Sequence, residues 1–249
     1  MYASNRTPNS PPYASQRIRD ENPLVSYILL GLTLAVFLLQ TISQVVLGVD
    51  YPAALGMKVN ELIIRGQLWR LISPVLLHGS ILHLGFNMYA LYILGPGLER
   101  QYGGSRFLAL YLLSGFAGNV ISFQFSSVPS LGSSTAIFGL IGAQGIFLYQ
   151  NREVFGPAAQ KALMNVVIIA AINLVIGLQP GIDNWGHIGG LIGGAMFAWL
   201  GGPVYRVTGG SFFPSISDER GSTDWLRAGL AVFGIFAIIA CLKIIFAIN

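Results

Sequence analysis

Three histidines, His78, His83 and His187, are all the imidazoles in this 249-residue chain, and each lies in or at the edge of an apolar segment. A polar or ionisable group in such a segment is costly unless it is paired internally or put to use. His83 and Asn87 stand four residues apart, so on a helix they share a face and two side-chain donors can converge on one point. Ser134 opens another apolar run just after Gly132. A helix starting there has free backbone N–H groups and a dipole that favours a developing anion. His187 sits beside two glycine columns, Gly186-Gly190-Gly194 and Gly189-Gly193, which allow a second helix to approach to backbone distance. If that helix carries Ser134, hydroxyl and imidazole meet. A serine beside an imidazole, with donors nearby for an oxyanion, is the minimal equipment for acyl transfer. Asp183 lies in the loop ahead of His187, and no Asp or Glu stands in a span at that depth, so the pattern points to a Ser-His dyad rather than a triad. Taken singly, each residue has a plainer reading: a serine bonded to its own helix, a core histidine, an asparagine joining helices, glycines for packing. Their coincidence at one depth favours chemistry.

The elements that must position these residues are membrane spans. Only 10% of the chain is charged, against roughly 25% in an average soluble domain, whereas 53% is hydrophobic and the mean hydropathy is +0.64. These values exclude an ordinary soluble domain and predict an all-α polytopic membrane protein. Residues 1–23 are polar and proline-rich, and are expected to form a disordered tail. The first apolar segment, 24–48, starts too late and runs too long for a cleaved signal peptide, and is read as a span. Residues 49–77 mix charges, tryptophan and proline with short apolar stretches, which suits a partly structured connection at the membrane interface. A second span covers 81–98 and is expected to end in the cluster Gly95-Pro96-Gly97-Leu98-Glu99-Arg100. No charged residue occurs between Arg106 and Arg152, too long a stretch for one crossing of about 20 residues. It must break at 126–132, giving spans 107–125 and 134–149. Spans 162–178 and 185–200 follow, then a polar linker at 202–225 and a last span from 226. The organisation is six plus one: a core over 24–201 and a seventh transmembrane helix at 226–249.

Orientation follows from the cations. With the tail in the cytosol, Arg6, Arg17, Arg19, Arg100, Arg106, Arg152, Lys161, Arg206, Arg220 and Arg227 lie inside, and only Lys58, Arg65, Arg70 and Lys243 lie outside. The positive-inside bias thus places the N-terminus in the cytosol and the C-terminus outside. It also places His83, Asn87, Ser134 and His187 in the outer half of the membrane. The cations never form a run, which argues against nucleic acid as a partner. The single cysteine, Cys241, excludes an intrachain disulfide and a cysteine-based zinc site, so no metal or cofactor is expected.

These residues resemble the rhomboid family of intramembrane serine proteases. The segment Gly132-Ser133-Ser134-Thr135-Ala136-Ile137-Phe138-Gly139 is similar to the family's nucleophile segment, and Gly186-His187-Ile188-Gly189-Gly190 with Gly194 is similar to its histidine helix. His78, His83 and Asn87 match the stretch that supplies oxyanion donors; Trp69-Arg70 and Glu99-Arg100 with Gly103 are also family-like. The resemblance implies a six-helix bundle with one extra C-terminal helix, Ser134 as nucleophile, and His187 as general base and then acid. The Ser134 amide, His83 and Asn87 would hold the oxyanion, Phe138 would pack on the His187 ring, and Trp69, Arg70 and Glu99 would be structural. Transmembrane proteins in the lipid bilayer would be the substrates. Thr135 departs from the family, which often has glycine there; its hydroxyl is expected to bond a local carbonyl or a water and stiffen the turn. Two rivals are a silent rhomboid-like binder, which loss of the serine or histidine would mark, and a solute channel, against which the absence of charge within the spans argues.

Overall fold

The computed structural model describes residues 22–208 and 215–248. The chain begins with α1 (Leu24–Leu47), then crosses a short region of α2 (Tyr51–Gly56), α3 (Asn60–Ile64) and two 3-10 turns (Leu68–Leu71 and Ser73–Leu76). It continues through α4 (Ile81–Tyr102), α5 (Gly104–Phe125), α6 (Ser134–Gln150), α7 (Arg152–Phe155), α8 (Pro157–Ile176) and α9 (Asn184–Gly201). A hairpin, β1 (Tyr205–Thr208) paired antiparallel with β2 (Ser215–Asp218), leads into α10 (Ser222–Ile248). The tail expected at 1–23 lies outside the described residues up to position 21.

Among the described residues α1, α4, α5, α8 and α10 are each long and apolar enough to cross a membrane. The other two long helices, α6 and α9, occupy the centre, packed on each other and on α5. α6 is largely buried, whereas α9 buries its glycine face and exposes Trp185, Ile192, Trp199 and Leu200 on the other; the 17 residues of α6 rise about 25 Å. Glycine lowers the hydropathy of α9 and is what lets it sit at the centre.

The packing of α9 follows from its two columns. A Cβ at Gly190 would collide with the Thr135 carbonyl and one at Gly194 with the Gly139 carbonyl, both on α6, whereas Gly189 and Gly193 meet Ile121 and Ala117 of α5. One helix therefore holds two neighbours at backbone distance. The seventh helix closes the back of this pair: Ala228, Val232, Phe236 and Ala240, spaced at four residues, are buried against α5 and α9. Lys243 donates to the Gln124 carbonyl at 2.7 Å and Gln124 to the Ile239 carbonyl at 2.7 Å.

Three features differ from expectation or give it a cause. α4 continues through the 95–100 cluster, past the expected end at 98, and runs to Tyr102 with Pro96 inside it. The extra turn delivers Glu99, whose carboxylate accepts from the Val25 and Ser26 amides at 2.8 and 2.7 Å and from the Ser26 hydroxyl at 2.7 Å. The start of α1 has no side-chain cap of its own, so Glu99 satisfies amides that would otherwise be orphaned. The linker at 202–225 carries the β1-β2 hairpin, anchored by Arg106 on Asp218 at 2.9 Å. In the 49–77 connection, Arg70 donates to the Met57 and Ala54 carbonyls at 2.7 and 2.8 Å and Trp69 to the Leu55 carbonyl at 2.9 Å. These bonds fold the connection onto itself and account for both residues structurally.

Candidate active site

Three helices, α4, α6 and α9, begin at the same end of the bundle, and the polar residues singled out above cluster at those starts. Gly132 precedes α6 with φ +138°, where only glycine is unstrained, and its amide donates to the Pro74 carbonyl at 2.9 Å. A side chain there would also strike the His83 ring. Ser133 is the N-cap residue and Ser134 the first of the helix, with no side chain capping its leading amides.

On the facing helix, Asp183 caps the start of α9, accepting from the Gly186 amide at 3.0 Å through its carboxylate and from the His187 amide at 3.1 Å through its carbonyl. His187 is thereby fixed in the first turn, directly above the glycines that touch α6. Its Nε2 lies 3.0 Å from Ser134 Oγ. The Phe138 ring, one turn along α6, stacks on the imidazole at 4.2 Å between centroids and 11° between planes. Nδ1 of His187 has no hydrogen-bond partner among the described residues. The Asp183 carboxylate is committed to Gly186 and to the Ser122 hydroxyl.

His83 is placed in the first turn of α4, whose N-cap Ser80 accepts from the His83 amide at 3.2 Å. Its ring edge lies over Gly132, beside Ser134. Asn87 is one turn further along and buried, and its Nδ2 is 3.0 Å from His78 Nε2. Sequence reasoning grouped His78 with the other two but gave it no role of its own. In the fold it is fully enclosed, edge-on to His83 at 5.0 Å, and within 3.3 Å of Ser133 Oγ. Gln40 of α1 brackets its backbone, accepting from the His78 amide at 3.0 Å and donating to its carbonyl at 3.2 Å. His78 Nε2 thus stands within hydrogen-bond distance of both Asn87 and the residue before Ser134, and its backbone is fixed by Gln40, a pairing across 38 residues that spacing alone could not reveal.

Thr135, whose hydroxyl is expected to bond a local carbonyl or a water, reaches no carbonyl with it among the described residues. Its Oγ1 is buried without a hydrogen-bond partner among the described residues, and its Cγ2 fills the space facing Gly118 and Gly186. The side chain acts by shape. No group of three or more His, Cys, Asp or Glu comes together among the described residues in a way that could hold a metal.

The geometry thus joins an alcohol, an imidazole and uncapped amides at the end of a helical membrane bundle. The family model for the rhomboid domain matches residues 65–204, which include every residue of this cluster except Gln40. Rhomboid protease GluP of Bacillus subtilis (strain 168) is 42% identical over 173 residues, 69% of this chain and 34% of the relative. Two proteins of Arabidopsis thaliana align similarly: RHOMBOID-like protein 5 at 36% identity over 71% of this chain and 59% of its own length, and the chloroplastic RHOMBOID-like protein 9 at 34% over 64% and 37%. The aligned segment spans between about a third and three-fifths of these relatives. The chain is an integral, multi-pass membrane protein, and it belongs to the rhomboid family.

Proposed function

We propose that this protein is an intramembrane serine endopeptidase that hydrolyses peptide bonds in or near transmembrane segments of other proteins through a Ser134-His187 dyad. The observation that carries the reading is the 3.0 Å contact between Ser134 Oγ and His187 Nε2, made between two helices held together by glycine. With Nε2 as acceptor, Nδ1 bears the proton. His187 takes the Ser134 proton as Oγ attacks the carbonyl carbon, and the oxyanion forms against the uncapped start of α6, with His83 and Asn87 as further donors. On collapse, His187 passes the proton to the leaving amine and an acyl-enzyme remains. Water, deprotonated by His187, attacks the ester, and the same steps in reverse order release the acid and restore the serine. Stacking on Phe138 holds the ring in the plane this needs, the task that a carboxylate performs in a triad. The name of the Bacillus relative, a rhomboid protease, supports the reaction class.

The reading includes the organisation given above: a cytosolic tail at 1–23, the catalytic core at 24–201, a cytosolic linker at 202–225, the seventh helix from 226, the N-terminus inside and the C-terminus outside. Substrates enter from the lipid, and their scissile carbonyl must leave its own helical hydrogen bond before attack. The test is cleavage of a single-span model substrate by purified protein in liposomes, with a fluorophosphonate probe run in parallel. Ser134→Ala and His187→Ala are each expected to abolish cleavage while remaining folded, and the probe is expected to label Ser134. Robust cleavage by Ser134→Ala refutes the proposal.

A further inference from the structure

Lys58 lies in the connection between α2 and α3, outside the site described above, and has 0% of its surface exposed. An ammonium so deeply enclosed costs stability unless it is fully bonded. All three of its protons find acceptors: Ser122 Oγ at 2.9 Å, the Ser126 carbonyl at 3.0 Å and the Ser122 carbonyl at 3.5 Å. The two carbonyls end α5, where a cation also suits the helix dipole. The Ser122 hydroxyl, accepting from Lys58, donates onward to Asp183 Oδ2. Asp183 is the residue that caps the His187 helix. The backbone of Lys58 meanwhile pairs with Ser130, the Lys58 amide donating to the Ser130 carbonyl at 2.9 Å and the Ser130 amide to the Lys58 carbonyl at 3.1 Å. Ser130 stands four residues before Ser134. One lysine thus ties the loop that delivers the nucleophile to the cap that orients the base.

We infer that Lys58, acting through Ser122 and Asp183, is a positioning residue that sets the alignment of Ser134 with His187. The inference rests on the protease reading. A lysine that merely ended α5 would need only the two carbonyls; the third bond, to a hydroxyl that engages Asp183, is what links it to the site. The charged groups facing it are Asp183 at the start of α9 and Lys243 of α10. Burial lowers its pKa to about 8, Asp183 partly opposing and Lys243 adding to the shift.

The test uses the full chain in liposomes. Ser122→Ala removes one hydroxyl and leaves both Lys58-carbonyl bonds; Asp183→Asn keeps a residue able to cap α9 but deletes the charge. Each is expected to lower kcat by about 10- to 100-fold, the scale of a small misplacement of reacting groups, with KM unchanged and the fluorophosphonate labelling rate reduced in parallel. The double variant is expected to be no worse than the poorer single one, because both cut the same chain. Lys58→Met should act likewise if it folds, and the two smaller substitutions decide the matter if it does not. Wild-type kcat in Ser122→Ala, or losses that multiply in the double variant, or a loss matched by the fraction unfolded, overturns the inference alone. A wild-type protein inert to both substrate and probe refutes the protease reading and this inference with it.

Discussion

The meeting of Ser134 and His187 depends on how closely α9 approaches α6, and a single methyl group can probe it. A Cβ at Gly190 would land on the Thr135 carbonyl, one residue past the nucleophile. Carbon and carbonyl oxygen sit comfortably at about 3.3–3.6 Å, so Gly190→Ala must separate the helices by on the order of 1 Å, against a starting Ser134-His187 contact of 3.0 Å. A misplacement of that size costs roughly 100-fold in rate. The effect on stability is smaller because two terms oppose: overpacking costs about 1–3 kcal/mol, whereas glycine to alanine inside a helix returns about 1 kcal/mol. Gly190→Ala is therefore expected to stay folded, lose at most about 2 kcal/mol, and lose roughly 100-fold in kcat and in probe labelling. Gly145→Ala on the outer face of α6 is the control. Its Cβ would meet Val166 and Leu163 at 3.6 and 3.8 Å, ordinary contacts, so stability should rise by up to about 1 kcal/mol with kcat unchanged. The readouts are kcat in liposomes and thermal unfolding in detergent. Gly190→Ala within twofold of the wild-type kcat would refute the claim that this backbone contact aligns the dyad.

Other expectations follow from named contacts. Thr135→Val deletes a buried hydroxyl without a partner, so the melting temperature should rise at unchanged activity; a less stable valine variant would show that the hydroxyl is bonded after all. His78→Ala and Asn87→Ala should each reduce kcat by roughly 10- to 1000-fold if Asn87 donates to the oxyanion, and the pair should be non-additive because one holds the other; additive losses would make them independent. Lys58 carries a pH signature: its folded pKa of about 8 lies below its ordinary 10.5, so between those values the unfolded chain binds a proton that the folded chain does not, and stability should rise with pH. Over the same window kcat should fall as the ammonium is lost, and Lys58→Met should abolish the stability slope in urea titrations. Reporter fusions at the two ends of the chain should lie on opposite sides of the membrane; the same side would mean an even number of crossings.

The residues of the candidate site were legible because a membrane makes polar residues conspicuous. Ser134, His83, Asn87 and His187 stand out in segments nearly free of polarity, and the glycine columns announce which helix must come close. The supporting bonds are long-range and carry no local pattern: Gln40 lies 38 residues from His78, and Lys58 lies 64 residues from Ser122, itself 61 from Asp183. Read locally, Lys58 and Asp183 look like ordinary connection residues, and Gln40 and Ser122 like isolated polar residues within spans. The last turn of α4, beyond position 98, is hidden for a related reason. Gly95-Pro96-Gly97 is a stop by local rules, but the amides of α1 require an acceptor and Glu99 supplies it only if the helix continues. The space that Gly118 and Gly186 leave for the Thr135 methyl is likewise invisible in the local sequence.

The three helix starts at the site also differ in a way that bears on catalysis. Ser80 caps α4 and Asp183 caps α9, each accepting from an amide in the first turn. α6 also has a serine at its N-cap, a residue type well suited to capping, yet the Ser133 hydroxyl does not cap and instead lies 3.3 Å from His78 Nε2. A capped α6 would have its leading amides satisfied at rest, and an oxyanion would have to displace that bond. With Ser133 turned toward His78, the helix start that carries Ser134 is the one of the three left without a side-chain acceptor. Uncapped amides cost stability in the resting protein; in the proposed mechanism they bind more strongly once charge develops on the attacked carbonyl, which would place the stabilisation in the transition state. The Ser133 hydroxyl is turned instead into the buried polar pocket of His78 and Tyr111, so the same packing that places Asn87 beside His78 leaves those amides open.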